Sequence, residues 1–463
     1  MKLIAMKKQA ITTVQEFNAT SLQSERPFRL KTLLTSFMFL MLLSACGGDS
    51  DSDNQIIQSD GGQNMNADSP RGIKFSKAVD YPSVFVTPNG SANQGDIGDM
   101  NGDGHLDIVA GGQFTGPALL LGRGDGSFEA PVEVTSLIGS NVIDVDDFDR
   151  DGILDIVSAS YTTGQFSVLL GLGDGTFRNN GDYSLGGFLG GIFPSGIAVE
   201  DFNLDGYPDF AFSRYFAGDI PVFFGSPGGF YTQGPSLSNG GFESLVIRAV
   251  DLNHDSVPDL IFPDSFPQGV PEINRIREGG LIVAIGNGDG TFQPIVRYTI
   301  GLAAEVIEVG DINEDGYIDV ITSNSFAGDI SILYNNGDGT LVNEQRIEVT
   351  GEIPGSFGID PDSEIHEGLL IADLDADGHL DLSYTNLMGN YLYIFAGDGG
   401  GNFTPSGEFQ LATWPEGILP GDFDEDGCID MAIPGNLPPI EPLDLMSRVS
   451  ILLNKSEGCR ASN

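Results

Sequence analysis

"DFDRDGILD", residues 147–155, places aspartate at its first, third, fifth and ninth positions and glycine at its sixth. Carboxylates crowded this closely repel one another unless a cation or a proton neutralises them. Six related stretches follow the same plan: "DMNGDGHLD" (99–107), "DFNLDGYPD" (201–209), "DLNHDSVPD" (251–259), "DINEDGYID" (311–319), "DLDADGHLD" (373–381) and "DFDEDGCID" (422–430). Their starts lie about 54 residues apart on average, a propeller-blade period rather than a helical-repeat one.

Other elements recur in phase with these loops. A short apolar stretch precedes each (strand a, as in "GLLIA", 368–372). A β-rich stretch follows (strand b, as in "DIVSAS", 155–160), then a strongly apolar one (strand c, as in "FSVLLG", 166–171). Several c segments run into a Gly-Asp-Gly turn and an aromatic, as in "GLGDGTF" (171–177). Short β-branched runs bounded by Gly/Asp turns read as strands. No long segment has helical periodicity, so the chain is all-β.

Strand d carries large residues six positions apart: Phe128/Val134, Phe177/Tyr183, Phe292/Tyr298, Leu341/Ile347 and Phe403/Phe409, with Phe230 alone in the third blade. The seventh unit has no d strand after "VSILLN" (449–454), while Phe75/Tyr81 supply one near the start. The expectation is a seven-bladed β-propeller over residues 73–456, closed by an N-terminal strand that completes the last blade.

In each loop, positions 1, 3, 5 and 9 offer side-chain oxygens and position 7 offers its carbonyl; position 6 turns on glycine in all but loop four. The expected ligands are Asp99, Asn101, Asp103, His105 and Asp107 in loop one, and Asp147, Asp149, Asp151, Ile153 and Asp155 in loop two. Loop three gives Asp201, Asn203, Asp205, Tyr207 and Asp209, and loop four gives Asp251, Asn253, Asp255, Val257 and Asp259. Loop five gives Asp311, Asn313, Asp315, Tyr317 and Asp319, and loop six gives Asp373, Asp375, Asp377, His379 and Asp381. Loop seven gives Asp422, Asp424, Asp426, Cys428 and Asp430. Hard oxygen donors in a flexible loop suit Ca²⁺ better than Mg²⁺, at an affinity of roughly 10⁻⁴ to 10⁻³ M. An EF-hand is excluded, because position 12 is never glutamate and the flanks are strands. Ser256 replaces glycine at position 6 of loop four, where positive φ is costly, so that site is expected to be the weakest.

These loops and the "LLGxGDGTF" turns resemble the FG-GAP/VCBS repeats of bacterial surface proteins and are similar to the integrin α-subunit propeller. The resemblance implies a calcium-binding propeller used in adhesion or ligand recognition. It does not imply an enzyme, and it names no ligand. The alternative is a carbohydrate-active propeller, a lectin or a polysaccharide lyase, which the single Trp disfavours.

Composition narrows the partners. With 21 basic and 66 acidic side chains, the formal charge is −45, so nucleic acid is a poor partner and cations are natural ones. Arg29, Lys31 and the apolar run 33–42 read as a signal segment too short to span a bilayer. Leu43-Ser44-Ala45-Cys46 resembles a bacterial lipobox, which implies lipidation at Cys46 and placement at the outer membrane or cell surface. Residues 1–46 are thus read as signal, 47–72 as a polar tether and 457–463 as a tail. A disulfide between Cys428 and Cys459 is expected in an exported chain. The protein is expected to be monomeric, with an unknown protein or glycan ligand.

Because a–b loops and c–d turns share one end of each antiparallel blade, the long connections 263–280, 351–367 and 434–448 project from the other face. Long loops on a rigid scaffold are where binding sits. Arg123-Gly124-Asp125 falls in register with the repeat turn, and the four histidines form no catalytic set.

Overall fold

The computed structural model describes residues 57–58, 73–82, 95–112, 116–134, 139–160, 162–186, 193–215, 217–239, 244, 246–264, 279–302, 304–325, 327–348, 368–386, 389–436, 447–456 and 458. Every element among them is a strand or turn, and the strands form seven antiparallel sheets.

Blade one is built from Gly95–Gly98, Asp107–Ala110, Ala118–Leu120 and Val132–Glu133. Blade two contains Ser140–Asp146, Asp155–Ser160, Gln165–Gly171 and Phe177–Ser184, and blade three Phe193–Glu200, Asp209–Tyr215, Asp219–Phe224 and Thr232–Ser238. Blades four to six repeat this a-b-c-d order over residues 248–300, 304–348 and 368–410.

Blade seven joins the two ends of the propeller. Its b and c strands are Asp430–Asn436 and Ser447–Leu452, and its a strand is split into Trp414–Pro415 and Leu419–Gly421. The d strand is Val79–Pro82, with Val79 opposite Ile451 and Tyr81 opposite Val449, and an isolated bridge joins Phe75 to Asn454. This is the closure expected from Phe75/Tyr81, and it leaves no open sheet edge between the last blade and the first. Ile57–Gln58 pair with the outer side of that strand.

Strands b and c are buried along almost their whole length because each blade is covered on both faces by its neighbours. Seven hydrophobic clusters result, one at each blade–blade interface. The d strands are half-buried or exposed instead, since they form the outer edge of each blade.

The six-residue signature of strand d has a physical reason. Its first member enters the interface core, and a tyrosine at the second reaches the next blade. Tyr81, Tyr183 and Tyr298 accept hydrogen bonds through their hydroxyls from the amides of Phe128, Tyr231 and Leu341 at 3.2–3.3 Å. In blade three the core residue is Tyr231, 5% exposed, whereas Phe230 is 55% exposed. The assignment of Phe230 is therefore corrected by one residue. Counting six positions from Gly225, the counterpart of Gly171, reaches Tyr231.

Candidate metal centres

Each acidic loop links strands a and b, and its ninth residue is the first residue of b. The ninth aspartates Asp107, Asp155, Asp209, Asp259, Asp319, Asp381 and Asp430 are all buried, at 0–1% exposure. Each carboxylate holds two backbone amides. In loop two, Phe148 N donates to Asp155 at 2.9 Å and Gly171 N at 2.8 Å, so one side chain ties the loop to the end of strand c. The same pair recurs with Met100 and Gly122 on Asp107, and with Leu374 and Gly397 on Asp381.

The strand-c glycines are dictated by this approach. A Cβ on Gly171 would sit 2.3 Å from Leu154 O, and one on Gly397 would sit 2.0 Å from Leu380 O. Blades five and seven use Asn335 and Asn454 instead. Their side-chain amides donate to Leu252 O and Leu374 O of the preceding blades, 2.8 Å each.

Positions 1, 3 and 5 shape the loop from within. Asp147 accepts the amides of Asp151 and Gly152 at 2.9 Å, and Asp151 accepts that of Ile153. Equivalent bonds form around Asp99, Asp201, Asp251, Asp311, Asp373 and Asp422. The position-7 residues His105, Tyr207, Val257, Tyr317, His379 and Cys428 each donate their amide to the position-5 aspartate, namely Asp103, Asp205, Asp255, Asp315, Asp377 and Asp426.

In loops two, six and seven, carboxylate oxygens of positions 1, 3 and 9 lie within 4.8 Å of one another: Asp147/Asp149/Asp155, Asp373/Asp375/Asp381 and Asp422/Asp424/Asp430. Position 5 is not part of these groups. The other four loops carry Asn101, Asn203, Asn253 or Asn313 at position 3, and each asparagine oxygen accepts the position-5 amide.

Backbone geometry marks two left-handed positions per loop. Position 6 is left-handed throughout, with φ of 88–93° at its glycines and 66° at Ser256. Position 4 is left-handed too, although Arg150, Leu204, His254, Glu314, Ala376 and Glu425 occupy it. Sequence reading anticipated the first requirement and missed the second.

Desolvation raises every ninth aspartate, to about 7 for Asp155 and Asp209 and to about 6 for Asp107, Asp259, Asp319, Asp381 and Asp430. Neighbouring loop aspartates add to the rise, as Asp149 does for Asp155. Buried acid beside acid, with oxygen the only donor type, is a set that fits a hard cation.

Adjacent loops also touch. His105 Nδ1 meets Glu425 Oε1 at 2.5 Å, which raises the histidine pKa, and His379 pairs with Glu314 of the preceding loop. The His254 and Tyr317 rings lie 5.5 Å apart. Position 7 of one loop thus contacts position 4 of its neighbour.

A second charged group was not legible in the sequence. Strand a of one blade contacts strand a of the next in several neighbouring pairs, so these strands form the inner side of the ring. Three residues before their loops stand Asp96, Asp144, Arg248 and Glu308, from blades one, two, four and five. Arg248 Nη2 lies 2.9 Å from Glu308 Oε1, and Asp96 accepts the Val145 amide at 2.8 Å. Burial pushes Asp96 up to about 6 and Asp144 well above the usual carboxylate range, against the opposing pull of Arg248.

The Arg123-Gly124-Asp125 turn commits its aspartate to Ser127, whose amide and hydroxyl both donate to it, and its arginine faces Glu129. Cys428 is buried at position 7 of loop seven. Cys459 and Cys46 lie outside the described residues, as does the signal segment.

Comparison with known proteins agrees with this geometry. The chain is 34% identical over 120 residues to phosphatidylinositol-glycan-specific phospholipase D of Bos taurus, covering 22% of this chain and 14% of that protein. It is 35% identical over 114 residues to the Homo sapiens protein of the same name, covering 21% and 13%. The chain thus spans about one seventh of these relatives.

Among solved structures, the RRP9 WD40 repeats match at TM-score 0.51 and 8% identity, covering 84% of this chain and 98% of that one. A Lactobacillus plantarum protein matches at TM-score 0.51 and 14% identity, covering 73% and 95%. Both likenesses concern the fold alone. The FG-GAP-like repeat is matched over residues 99–158, 147–212, 311–383 and 373–433, each stretch starting at the first aspartate of a loop. Those stretches span half of the sequence, and the chain belongs to the FG-GAP-like repeat family.

Proposed function

We propose that this protein is a calcium-stabilised recognition module, exported and held at the cell surface by lipid on Cys46. The observation that carries the metal reading is the convergence of three carboxylates in loops two, six and seven. Asp147, Asp149 and Asp155 would hold the ion in loop two, with the equivalent residues in the other loops, including the asparagines. A bound divalent ion would supply the positive charge that these half-buried and buried acids lack. The chain's own residues do the rest: the ninth aspartate hands the loop's rigidity to strand c, and the position 4–position 7 contacts pass it to the next blade.

Recognition is assigned to the face opposite these loops, to which strand direction sends the connections 263–280, 351–367 and 434–448, most of whose residues lie outside the described ones. Support comes from their length and from strand direction, which sends a–b and b–c connections to opposite ends. The partner is a protein or a glycan. The named relatives act on phosphatidylinositol-glycan, and their match to one stretch of this chain makes glycans worth testing without transferring any phospholipase activity. Anchoring rests on Leu43-Ser44-Ala45-Cys46.

Thermal melting in chelator and in millimolar calcium tests the core of this reading. Each site contributes about 1.4 kcal/mol at ten times its Kd, so several sites together should raise Tm by about 5 °C or more. An unchanged Tm overturns the calcium assignment. A glycan array probed with and without calcium then separates sugar from protein ligands.

A further inference from the structure

Loop seven holds a cation belonging to the chain itself. The Lys455 ammonium lies 2.5 Å from Asp424 Oδ2 and 3.2 Å from Asp426 Oδ2. Asp424 is also one of the three carboxylates that converge in this loop. Among the described residues of loops one to five, no lysine or arginine forms an ion pair with a loop aspartate.

The position of Lys455 is set by the closure of the ring. Its amide donates to Lys74 O at 2.6 Å, and Lys74 N donates to Ser456 Oγ at 3.0 Å. On its other side, Asn454 bridges to Phe75 and donates its amide to Asp430 Oδ1 at 2.6 Å. Asn454 and Ser456 are both fully buried. The backbone under Lys455 is therefore fixed on both sides, and only the side chain retains freedom, which reduces the entropy lost in pairing.

We propose that Lys455 is the resident counter-cation of loop seven, occupying the loop when no divalent ion is present and withdrawing when one is coordinated. This rests on the calcium reading for its second half only. One ammonium offsets one of the four negative charges of Asp422, Asp424, Asp426 and Asp430, leaving the loop attractive to a divalent ion but at the cost of displacing Lys455. Loop seven then binds calcium more weakly than loop two, which carries the same four aspartates. It also keeps the closing blade joined in calcium-poor solution, because the ammonium bonds to the loop while its backbone bonds to Lys74, ahead of the closing strand.

The test uses the full chain, Lys455→Met, and Lys455→Arg as the charge-retaining control. In chelator, Lys455→Met should melt about 1–3 °C below the parent, and Lys455→Arg should melt with it. In calcium titrations, Lys455→Met should fill loop seven at about tenfold lower free calcium. The unaltered chain gives an independent readout: acylation of the Lys455 amine, mapped by mass spectrometry, should run several-fold faster in calcium than in chelator. The proposal is overturned if Lys455→Met melts with the parent in chelator. It is equally overturned if Lys455 labelling ignores calcium that does raise the parent's Tm. Calcium that shifts the melting of no chain sinks the calcium reading instead, and the chelator comparison then judges Lys455 by itself.

Discussion

Replacing Asp155 by Asn separates the two duties that the ninth loop position carries. The side chain is 1% exposed and accepts amides from Phe148 and Gly171. Its pKa is raised from 3.8 to about 7, chiefly by burial. At pH 7 without metal, keeping this carboxyl buried costs at most about 4 kcal/mol relative to the unfolded chain, and solvent screening in the loop lowers that figure. Asparagine removes that cost but turns one acceptor into a donor facing an amide, a loss of about 1–3 kcal/mol.

In chelator at pH 7, Asp155→Asn should therefore be as stable as the parent, or more stable by about 1–2 kcal/mol. In calcium the order reverses. A site at a hundred times its Kd contributes about 2.7 kcal/mol, and the neutral ligand forfeits most of it. A carboxyl with a raised folded pKa adds stability that is fully present below its unfolded value and lost as pH rises through the folded value. The metal-free parent should accordingly weaken from about pH 4 to 7, and Asp155→Asn should weaken less over that window. Urea denaturation in chelator and in calcium, at pH 5 and pH 8, measures all of this. Equal destabilisation of Asp155→Asn under all four conditions refutes the reasoning.

Two further substitutions probe the scaffold. Ser256→Gly frees the loop-four backbone from φ 66°; relief of about 1–2 kcal/mol of left-handed strain exceeds the entropy that glycine adds to the unfolded chain, so denaturation should show a net gain of about 0.5–1 kcal/mol. Tyr183→Phe deletes the hydroxyl that accepts the Tyr231 amide while keeping the stacking of its ring on Phe166, and should cost about 1 kcal/mol in the same assay.

The sequence exposed what is local and periodic. Seven loops in step, the Gly-Asp-Gly turns and the displaced Phe75/Tyr81 pair are read from spacing alone, and together they determine blade number and the manner of closure. The need for positive φ at position 6 was visible because six glycines announce it. Position 4 was hidden because Arg150, Leu204 and Glu425 give no such sign.

Contacts between blades were harder to read. Asn335 and Asn454 stand where other blades have glycine, but their bonds to Leu252 O and Leu374 O depend on the packing of neighbouring sheets. The grouping of Asp96, Arg248 and Glu308 requires knowing which rung of strand a faces inward across four blades. Lys455 lies about thirty residues beyond its aspartates, just past the end of strand c.

The pairing of Ser450 with Asp80 spans 370 positions of chain, and that distance governs how the protein can be made. During synthesis, the strand 79–82 emerges early and waits without its blade-seven neighbour while six blades form behind it. Only when residues 447–452 appear can it dock, so the last step of folding is a slow, long-range capture rather than a local collapse. Until then a bare strand edge is open to other nascent chains, and a ribosome stalled late in the message would release a nearly complete ring with its seam unsealed. The cell's chaperones would have to shield that edge until the final segment arrives.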